Sequence, residues 1–158
     1  WTLTQNVDGF HRAAGSQKLI EIHGDLHDIY CVKCDYRQHV TDYEAIESPP
    51  RCPQCRRILR PDVVLFGEFL PPDKVQRLLA ECRRGFDAVF SIGTTSVFPY
   101  IVEPVRQAQL RGRPTIEINP GETTISGLVD VKLAMRAAPA LDAIWTQYRQ
   151  RQDDSAVK

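Results

Sequence analysis

The chain has 158 residues, and its 20 lysine and arginine residues balance 20 acidic ones, so the formal net charge is zero. This balance, without a long basic run, argues against a nucleic-acid groove, and no apolar stretch approaches the roughly 18 to 20 residues that span a bilayer. We therefore expect one soluble domain with a small insert, no direct nucleic-acid binding, no membrane partner and, without a signal-like first segment, a cytoplasmic location.

Short β-rich runs alternate with helical or irregular segments along the chain, and each run is bounded by Gly, Pro, Asn or Asp. The runs lie at 1–4, 19–22, 63–66, 87–92, 114–118 and 130–134. Such an alternation predicts a parallel sheet, because strands of equal direction need crossover connections between them.

Amphipathic helices are predicted where apolar residues recur at i, i+3, i+4 and i+7. One stripe contains Val75, Leu78, Leu79 and Cys82. A second contains Leu141, Ile144, Trp145 and Tyr148, and a weaker third runs from 101 to 110. We expect all three stripes to face the core, with Cys82 as a packing residue rather than a reactive thiol.

Four of the five cysteines form two pairs, Cys31 with Cys34 and Cys52 with Cys55, and seventeen residues separate the pairs. Four thiolates at this spacing can close a tetrahedron around one structural zinc ion, and such a closed site leaves no position to activate water. Disulfides are the alternative, but the paired spacing favours zinc and a reducing compartment.

The segment 27–61 is rich in Cys, Arg, Pro and polar residues and poor in long apolar runs. It is predicted to be a zinc-binding module whose folding depends on the metal. The overall prediction is an α/β fold: a Rossmann-like parallel sheet with helices on both faces, formed by 1–26 and 62–150, with the zinc module inserted. Residues 151–158 are predicted to be a polar tail.

Polar or glycine clusters follow four of the predicted strands, where ligands of a doubly wound sheet bind. The clusters are Gln5, Asn6 and Asp8; His23 and Gly24; Gly93 to Ser96; and Asn119 to Gly121. Each cluster alone is also explained by turn chemistry, because these residue types end strands for conformational reasons. Together they predict one polar crevice.

In this order, the motifs resemble those of sirtuins, the NAD-dependent protein-lysine deacylases, over about residues 1 to 145. The resemblance rests on Thr4-Gln5-Asn6-Val7-Asp8-Gly9, Ile20-Glu21-Ile22-His23-Gly24, the paired cysteines, Val63-Val64-Leu65-Phe66-Gly67-Glu68, and Ile92-Gly93-Thr94-Thr95-Ser96. It implies a co-substrate, NAD, and products that are free lysine, nicotinamide and O-acyl-ADP-ribose. The acyl group would be acetyl or succinyl.

Carried over by position, the resemblance makes His23 the general base. We expect His11, His27 and His39 to be surface or packing residues; His27 and His39 could in principle bind a metal, but four cysteines already complete a closed site. An unperturbed histidine can accept a proton at neutral pH. The NAD-binding residues would be Gln5, Asn6, Val7, Asp8, Gly93, Thr94, Thr95, Asn119 and Ala138. Sirtuins usually have Gly-Thr-Ser where this chain has Gly93-Thr94-Thr95, and the hydroxyl is retained.

The acyl-lysine protein or peptide substrate would add as a strand along Val64, Leu65, Phe66, Gly67 and Glu68. From the sequence alone, an ordinary buried strand that ends in a glycine turn explains this segment equally well.

The family's glycine-rich loop, of the form G-A-G-x-S-x-x-S-G-I-P-x-F-R, does not occur in these residues. We therefore expect the 158 residues to be inactive alone and to be the C-terminal portion of a longer deacylase. Two other interpretations remain: a mono-ADP-ribosyltransferase on the same fold, and a non-catalytic zinc module that binds NAD or ADP-ribose.

Overall fold

The computed structural model describes residues 1–44 and 46–156. The chain forms two compact units, Trp1–Ala80 and Glu81–Lys158. The first contains strands β1 (Thr2–Thr4), β2 (Leu19–Glu21), β3 (Gly24–Cys31), β4 (Arg37–His39) and β5 (Leu59–Val63), with helix α1 (Phe10–Ala13). Helix α2 (Pro72–Arg84) crosses the boundary between the units. The second contains strands β6 (Val89–Ile92), β7 (Thr115–Ile118) and β8 (Val131–Leu133), with helices α3 (Pro99–Leu110) and α4 (Ala137–Ala156).

Strands β1 and β2 form a parallel pair in the first unit, with Thr4 opposite Glu21. The Ile22 amide extends the pairing and donates to the carbonyl of Thr4 over 3.0 Å. Ile20 and Ile22 are buried beneath the pair. Because both strands run in one direction, the residues that follow them emerge at the same edge.

Strands β4, β3 and β5 form a separate antiparallel sheet in that order. Its core consists of Ile29, Cys31, Val40, Cys52 and Leu59. Two of these five residues are cysteines of the paired motif, so the tetrad is built into the packing of the sheet. The central strand β3 begins at Gly24 and the outer strand β5 ends at Val63, so the sheet extends a few residues beyond each end of the predicted module.

The second unit contains a parallel sheet in the order β6, β7, β8. Helix α3 packs on β6 and β7, and its Val102 and Val105 form a buried cluster with Ile125. Pro99 lies in the first turn of this helix, where its missing N–H costs no hydrogen bond. The parallel strands, the flanking helices and the cysteine cluster confirm the predicted α/β class.

Three local predictions are wrong. Leu79 of the first stripe and Leu110 at the end of the third are exposed and do not face the core. The strand expected at 63–66 ends at Val63, and Leu65 and Phe66 are exposed, which also excludes an ordinary buried strand there. The stripe of Leu141, Ile144, Trp145 and Tyr148 does lie on a helix, but all four side chains are at least 36% exposed. No element among the described residues covers it; helix α4 buries Ala140 instead. The predicted polar tail is helical to Ala156, and residues 157 and 158 lie outside the described residues.

Candidate functional site

The joint end of β1 and β2 brings His23 beside the loop that follows β1. The Nδ1 atom of the half-buried His23 lies 3.1 Å from the carbonyl oxygen of Gln5. If Nδ1 carries the proton and donates to that carbonyl, Nε2 is unprotonated and has the lone pair that a general base requires. The parallel strands thus bring the histidine to this carbonyl, and the contact favours the tautomer with the proton on Nδ1.

The backbone on the other side of His23 is fixed by strand β5. The Val64 amide donates to the His23 carbonyl over 2.8 Å. Gly24 has φ +92°, and a Cβ atom placed on it would lie 1.8 Å from the carbonyl oxygen of Asp62. Only glycine allows β5 to approach so closely, and this steric requirement explains why a glycine follows His23.

The loop that contains Gln5, Asn6, Val7 and Asp8 has an internal hydrogen-bond framework. The Asn6 amide donates to Thr4 Oγ1 over 3.1 Å, and the Leu26 amide donates to the Val7 carbonyl over 2.8 Å. The carboxylate of Asp8 accepts the Phe10 amide over 3.1 Å at the start of α1. The Asn6 side chain is exposed, while Gln5 and Asp8 are half-buried.

Sequence reasoning missed Arg12, which ties α1 to the strands behind this loop. Its guanidinium pairs with Glu21, with Asp28 at 3.2 Å and with Asp25 at 3.5 Å. Burial raises the pKa of Asp28, but hydrogen bonds from His39 and Arg12 outweigh it and hold that pKa below its ordinary value. A single arginine in a polar segment gave no signal of this role.

Three histidines outside the site have the packing or surface positions predicted for them. His27 Nδ1 lies 2.9 Å from Asp25, and His39 Nδ1 lies 2.7 Å from Asp28. His11 is half-buried on the short helix α1.

In the second unit, the ends of β6 and β7 bring Gly93, Thr94 and Asn119 together. The Gly93 amide donates to the Ile118 carbonyl over 3.0 Å, and the Asn119 side-chain amide donates to the Thr94 carbonyl over 3.0 Å. Gly93 has φ +62°, no atom lies within 4 Å of the place that a Cβ would take there, and Thr95 is exposed. Such an edge, with glycine backbone and hydroxyls, suits a ribose or phosphate oxygen.

The loop after Asn119 is held by the buried carboxylate of Glu117, a residue that sequence reasoning also missed. Glu117 is 1% exposed and accepts hydrogen bonds from Thr123 and, over 2.6 Å, from the Ser126 hydroxyl. Lys132 Nζ lies 3.5 Å from the same carboxylate. Ala138, the predicted adenine contact, is an exposed residue in the first turn of α4.

The four paired cysteines form one cluster, with all four sulfur atoms within 4.8 Å of one another. The Cys31–Cys55 and Cys34–Cys52 sulfur separations are 3.4 and 3.5 Å, so the cysteines are free thiols and not disulfides. Four sulfurs at about 2.3 Å from one ion would lie slightly under 4 Å apart. The tetrad therefore fits a structural zinc ion.

The electrostatics of the tetrad favour a thiolate at Cys31. Burial raises its pKa, but hydrogen bonds from the Cys34 and Lys33 amides and from the thiols of Cys55 and Cys34 lower that pKa to about 6. At Cys34 a backbone hydrogen bond from Tyr36 lowers the pKa, but burial and the neighbouring cysteines outweigh it and raise that pKa to about 12. Metal ligands must be deprotonated, so binding a cation would have to release the protons of the remaining thiols.

The predicted peptide segment forms a turn that follows β5. Phe66 at its tip is fully exposed, and so is Phe69 just beyond it, at 98%. The Glu68 carboxylate accepts two hydrogen bonds from Arg60, over 2.7 and 3.0 Å. The segment is therefore surface-exposed, as a peptide site requires.

Comparison with known proteins assigns the family. The model of the Sir2 family matches residues 1–99. The chain belongs to the Sir2 family. An NAD-dependent protein deacylase 2 of Pseudomonas aeruginosa is 51% identical to it over 140 residues, which cover 87% of this chain and 55% of that protein.

Solved Sir2 structures share the fold of this Sir2-family chain. A Sir2 homologue in complex with NAD is 37% identical, with a TM-score of 0.85, and the match covers 94% of this chain and 58% of that one. Sir2Tm bound to a propionylated peptide is 29% identical, with a TM-score of 0.80 and coverage of 92% and 60%. The chain thus spans little more than half the length of these relatives.

Proposed function

We propose that the protein is an NAD-dependent protein-lysine deacylase in which His23 is the general base. The observation that supports this most directly is the 3.1 Å contact between His23 Nδ1 and the Gln5 carbonyl, at the strand ends where the Asn6 to Asp8 loop begins. The Sir2 family membership supports the reaction class.

In the proposed reaction, the acyl oxygen of a modified lysine attacks the anomeric carbon of the nicotinamide ribose of NAD. An O–C bond forms, the glycosidic C–N bond breaks, and nicotinamide leaves with the bonding electrons. His23 then removes a proton from a ribose hydroxyl, whose oxygen attacks the imidate carbon. Hydrolytic collapse releases free lysine and O-acyl-ADP-ribose.

The chain's own residues would divide the binding of NAD between two sets. Gln5, Asn6, Val7 and Asp8 would hold the nicotinamide ribose and the carboxamide, as the positions of the family motif indicate. Gly93, Thr94, Thr95 and Asn119, with Ala138, would hold the remaining adenosine and phosphate groups. Zinc would be structural, because four cysteine ligands complete its coordination.

The substrate would be an acyl-lysine protein or peptide bound along residues 64–68. We also propose a cytoplasmic location, since free metal-binding thiols suit a reducing compartment. No direct nucleic-acid partner is proposed, because the formal net charge is zero. Among the described residues, no helix is long and apolar enough to cross a membrane.

The test is product analysis with acetyl- and succinyl-lysine peptides and NAD, in the full-length protein and in the 158-residue chain. We expect nicotinamide and O-acyl-ADP-ribose from the full-length protein and little or none from the chain alone. His23→Ala should abolish turnover and spare NAD binding, while the control His39→Ala should keep both. ADP-ribose retained on protein would instead indicate a mono-ADP-ribosyltransferase, and NAD binding without turnover a binding module.

A further inference from the structure

The ion pair between Arg60 and Glu68 closes the turn that carries the exposed Phe66 and that the exposed Phe69 follows. Besides its two bonds to Arg60, the Glu68 carboxylate accepts the Leu65 amide over 3.0 Å, and the Glu68 amide donates to the Leu65 carbonyl over 3.0 Å. Leu65 and Glu68 are thus bonded reciprocally. A two-pronged guanidinium–carboxylate contact fixes geometry as well as charge.

Arg60 is itself anchored on strand β5. Its guanidinium also donates to the Val63 carbonyl over 3.0 Å and lies 5.7 Å from the centroid of the Tyr30 ring. One arginine therefore links the strand, the strand end and the turn. The same strand end carries Val64, whose amide donates to the His23 carbonyl, so the turn is held in a fixed relation to the histidine.

Exposed ion pairs contribute little to the stability of a folded protein, so stability alone does not account for this arrangement. Phe66 on this short turn and Phe69 just beyond it are almost completely exposed, so their side chains gain nothing from the core. A turn that is already ordered before binding loses less conformational entropy when a ligand orders it further. An ordered turn of this kind would therefore favour a binding step.

We propose that Arg60 and Glu68 are a positioning pair that holds residues 65–68 in the conformation that accepts the acyl-lysine peptide. This inference rests on the proposed deacylase function. Neither residue touches the reacting atoms; they act through the backbone of the turn and through Phe66. Their loss should weaken peptide binding and leave NAD binding and the chemical step intact.

The test is the steady-state kinetics of Glu68→Gln, Arg60→Gln and the double variant in the full-length protein, with an acetyl-lysine peptide and NAD varied separately. We expect KM for the peptide to rise about tenfold in each single variant, as for loss of one charge-assisted hydrogen bond. The double variant should show the same rise as either single one, because the two residues act as one unit. kcat and KM for NAD should not change.

Arg84→Gln is the matched control, because it removes an exposed arginine whose guanidinium lies 2.8 Å from Glu81 on α2, outside the proposed site. It should leave KM for the peptide unchanged. A second readout is chymotrypsin cleavage after Phe66 and Phe69, which should accelerate in Glu68→Gln if the turn loosens. If the Glu68→Gln variant loses zinc or fails to fold, Arg60→Lys is used in its place. This substitution keeps the positive charge but removes the two-pronged contact, and it should also raise KM for the peptide.

An active wild-type protein whose peptide KM does not respond to Glu68→Gln or Arg60→Lys overturns the positioning role and leaves the deacylase proposal standing. A rise in KM for NAD, or a fall in kcat at saturating peptide and NAD, would also overturn it, since either would show general damage to the site. A wild-type protein that releases no nicotinamide with any acyl peptide overturns the deacylase proposal itself, and the positioning role with it.

Discussion

The close approach of Gly24 to strand β5 makes Gly24→Ala a sharp test of how His23 is positioned. A Cβ at this residue would lie 1.8 Å from the Asp62 carbonyl oxygen, and the backbone has φ +92°. The left-handed conformation alone costs a non-glycine residue about 1–2 kcal/mol. The steric overlap cannot be absorbed by a side-chain rotation, because both the added atom and its neighbour are fixed to the backbone.

The strands must therefore separate, which costs about 1–3 kcal/mol by analogy with overpacked cores. Separation also loses the hydrogen bond between Val64 and His23, worth about 1 kcal/mol. We expect Gly24→Ala to lower the free energy of unfolding by about 3–6 kcal/mol and to reduce turnover.

Gly15→Ala is the matched control, because Gly15 has φ +85° and no atom within 4 Å of the added Cβ. It should lower the free energy of unfolding only by the cost of the left-handed conformation, about 1–2 kcal/mol. The assay is urea unfolding followed by far-ultraviolet circular dichroism, with NAD turnover measured in parallel. Equal destabilisation by the two variants would refute the argument from strand contact.

Three further predictions concern the metal, a buried carboxylate and pH. Cys52→Ser should lose bound zinc and melt the sheet that surrounds Cys52, as circular dichroism and metal analysis would show; full zinc retention would contradict a four-cysteine site. Glu117→Gln should lower the free energy of unfolding in urea by about 3 kcal/mol, because it leaves the charge of Lys132 beside an uncharged amide in a buried network. The control is Glu122→Gln, which changes the 82% exposed partner of the same lysine and should leave the free energy of unfolding almost unchanged. The Arg60 guanidinium and the Leu65 amide lower the pKa of Glu68 from 4.5 to about 2, so its stabilisation is complete above pH 4.5 and is lost as the pH falls towards 2. Because the ion pair is partly exposed, this contribution is small: Glu68→Gln should make the fall of the urea midpoint over that window slightly less steep, and an unchanged pH profile would count against this.

The sequence predicted features that depend on local spacing or on strand direction. The tetrad followed from four cysteines, since few other structures need that spacing. The proximity of His23 to Gln5 followed from two parallel strands, which end at one edge. In both cases residue type together with spacing or strand direction was enough to predict which residues lie close together.

Features that depend on long-range pairing were not predictable. Arg60 and Glu68 are eight residues apart and ordinary in composition, and they meet only because the chain turns after Val63. The strand was misplaced at 63–66 because Val, Leu and Phe favour strands by propensity, while the register with β3 selects 59–63. The exposed stripe on α4 shows that helical periodicity predicts a face but not what covers it.

Strand β5 has a consequence for which parts of this chain can change length. Leu59 pairs with Cys31 at the metal end, and Val63 pairs with Gly24 beside His23. Deleting or inserting one residue in 59–63 would turn Arg60 to the opposite face of the sheet and shift one of these two ends. The exposed residues 41–44, between the cysteine pairs, lie outside the strands, so added residues there would shift no strand register, although they would put the hydrogen bond from the Tyr43 hydroxyl to the Leu26 carbonyl at risk. Length variation among functional variants of this chain should therefore concentrate between Cys34 and Cys52 and avoid the five residues of β5.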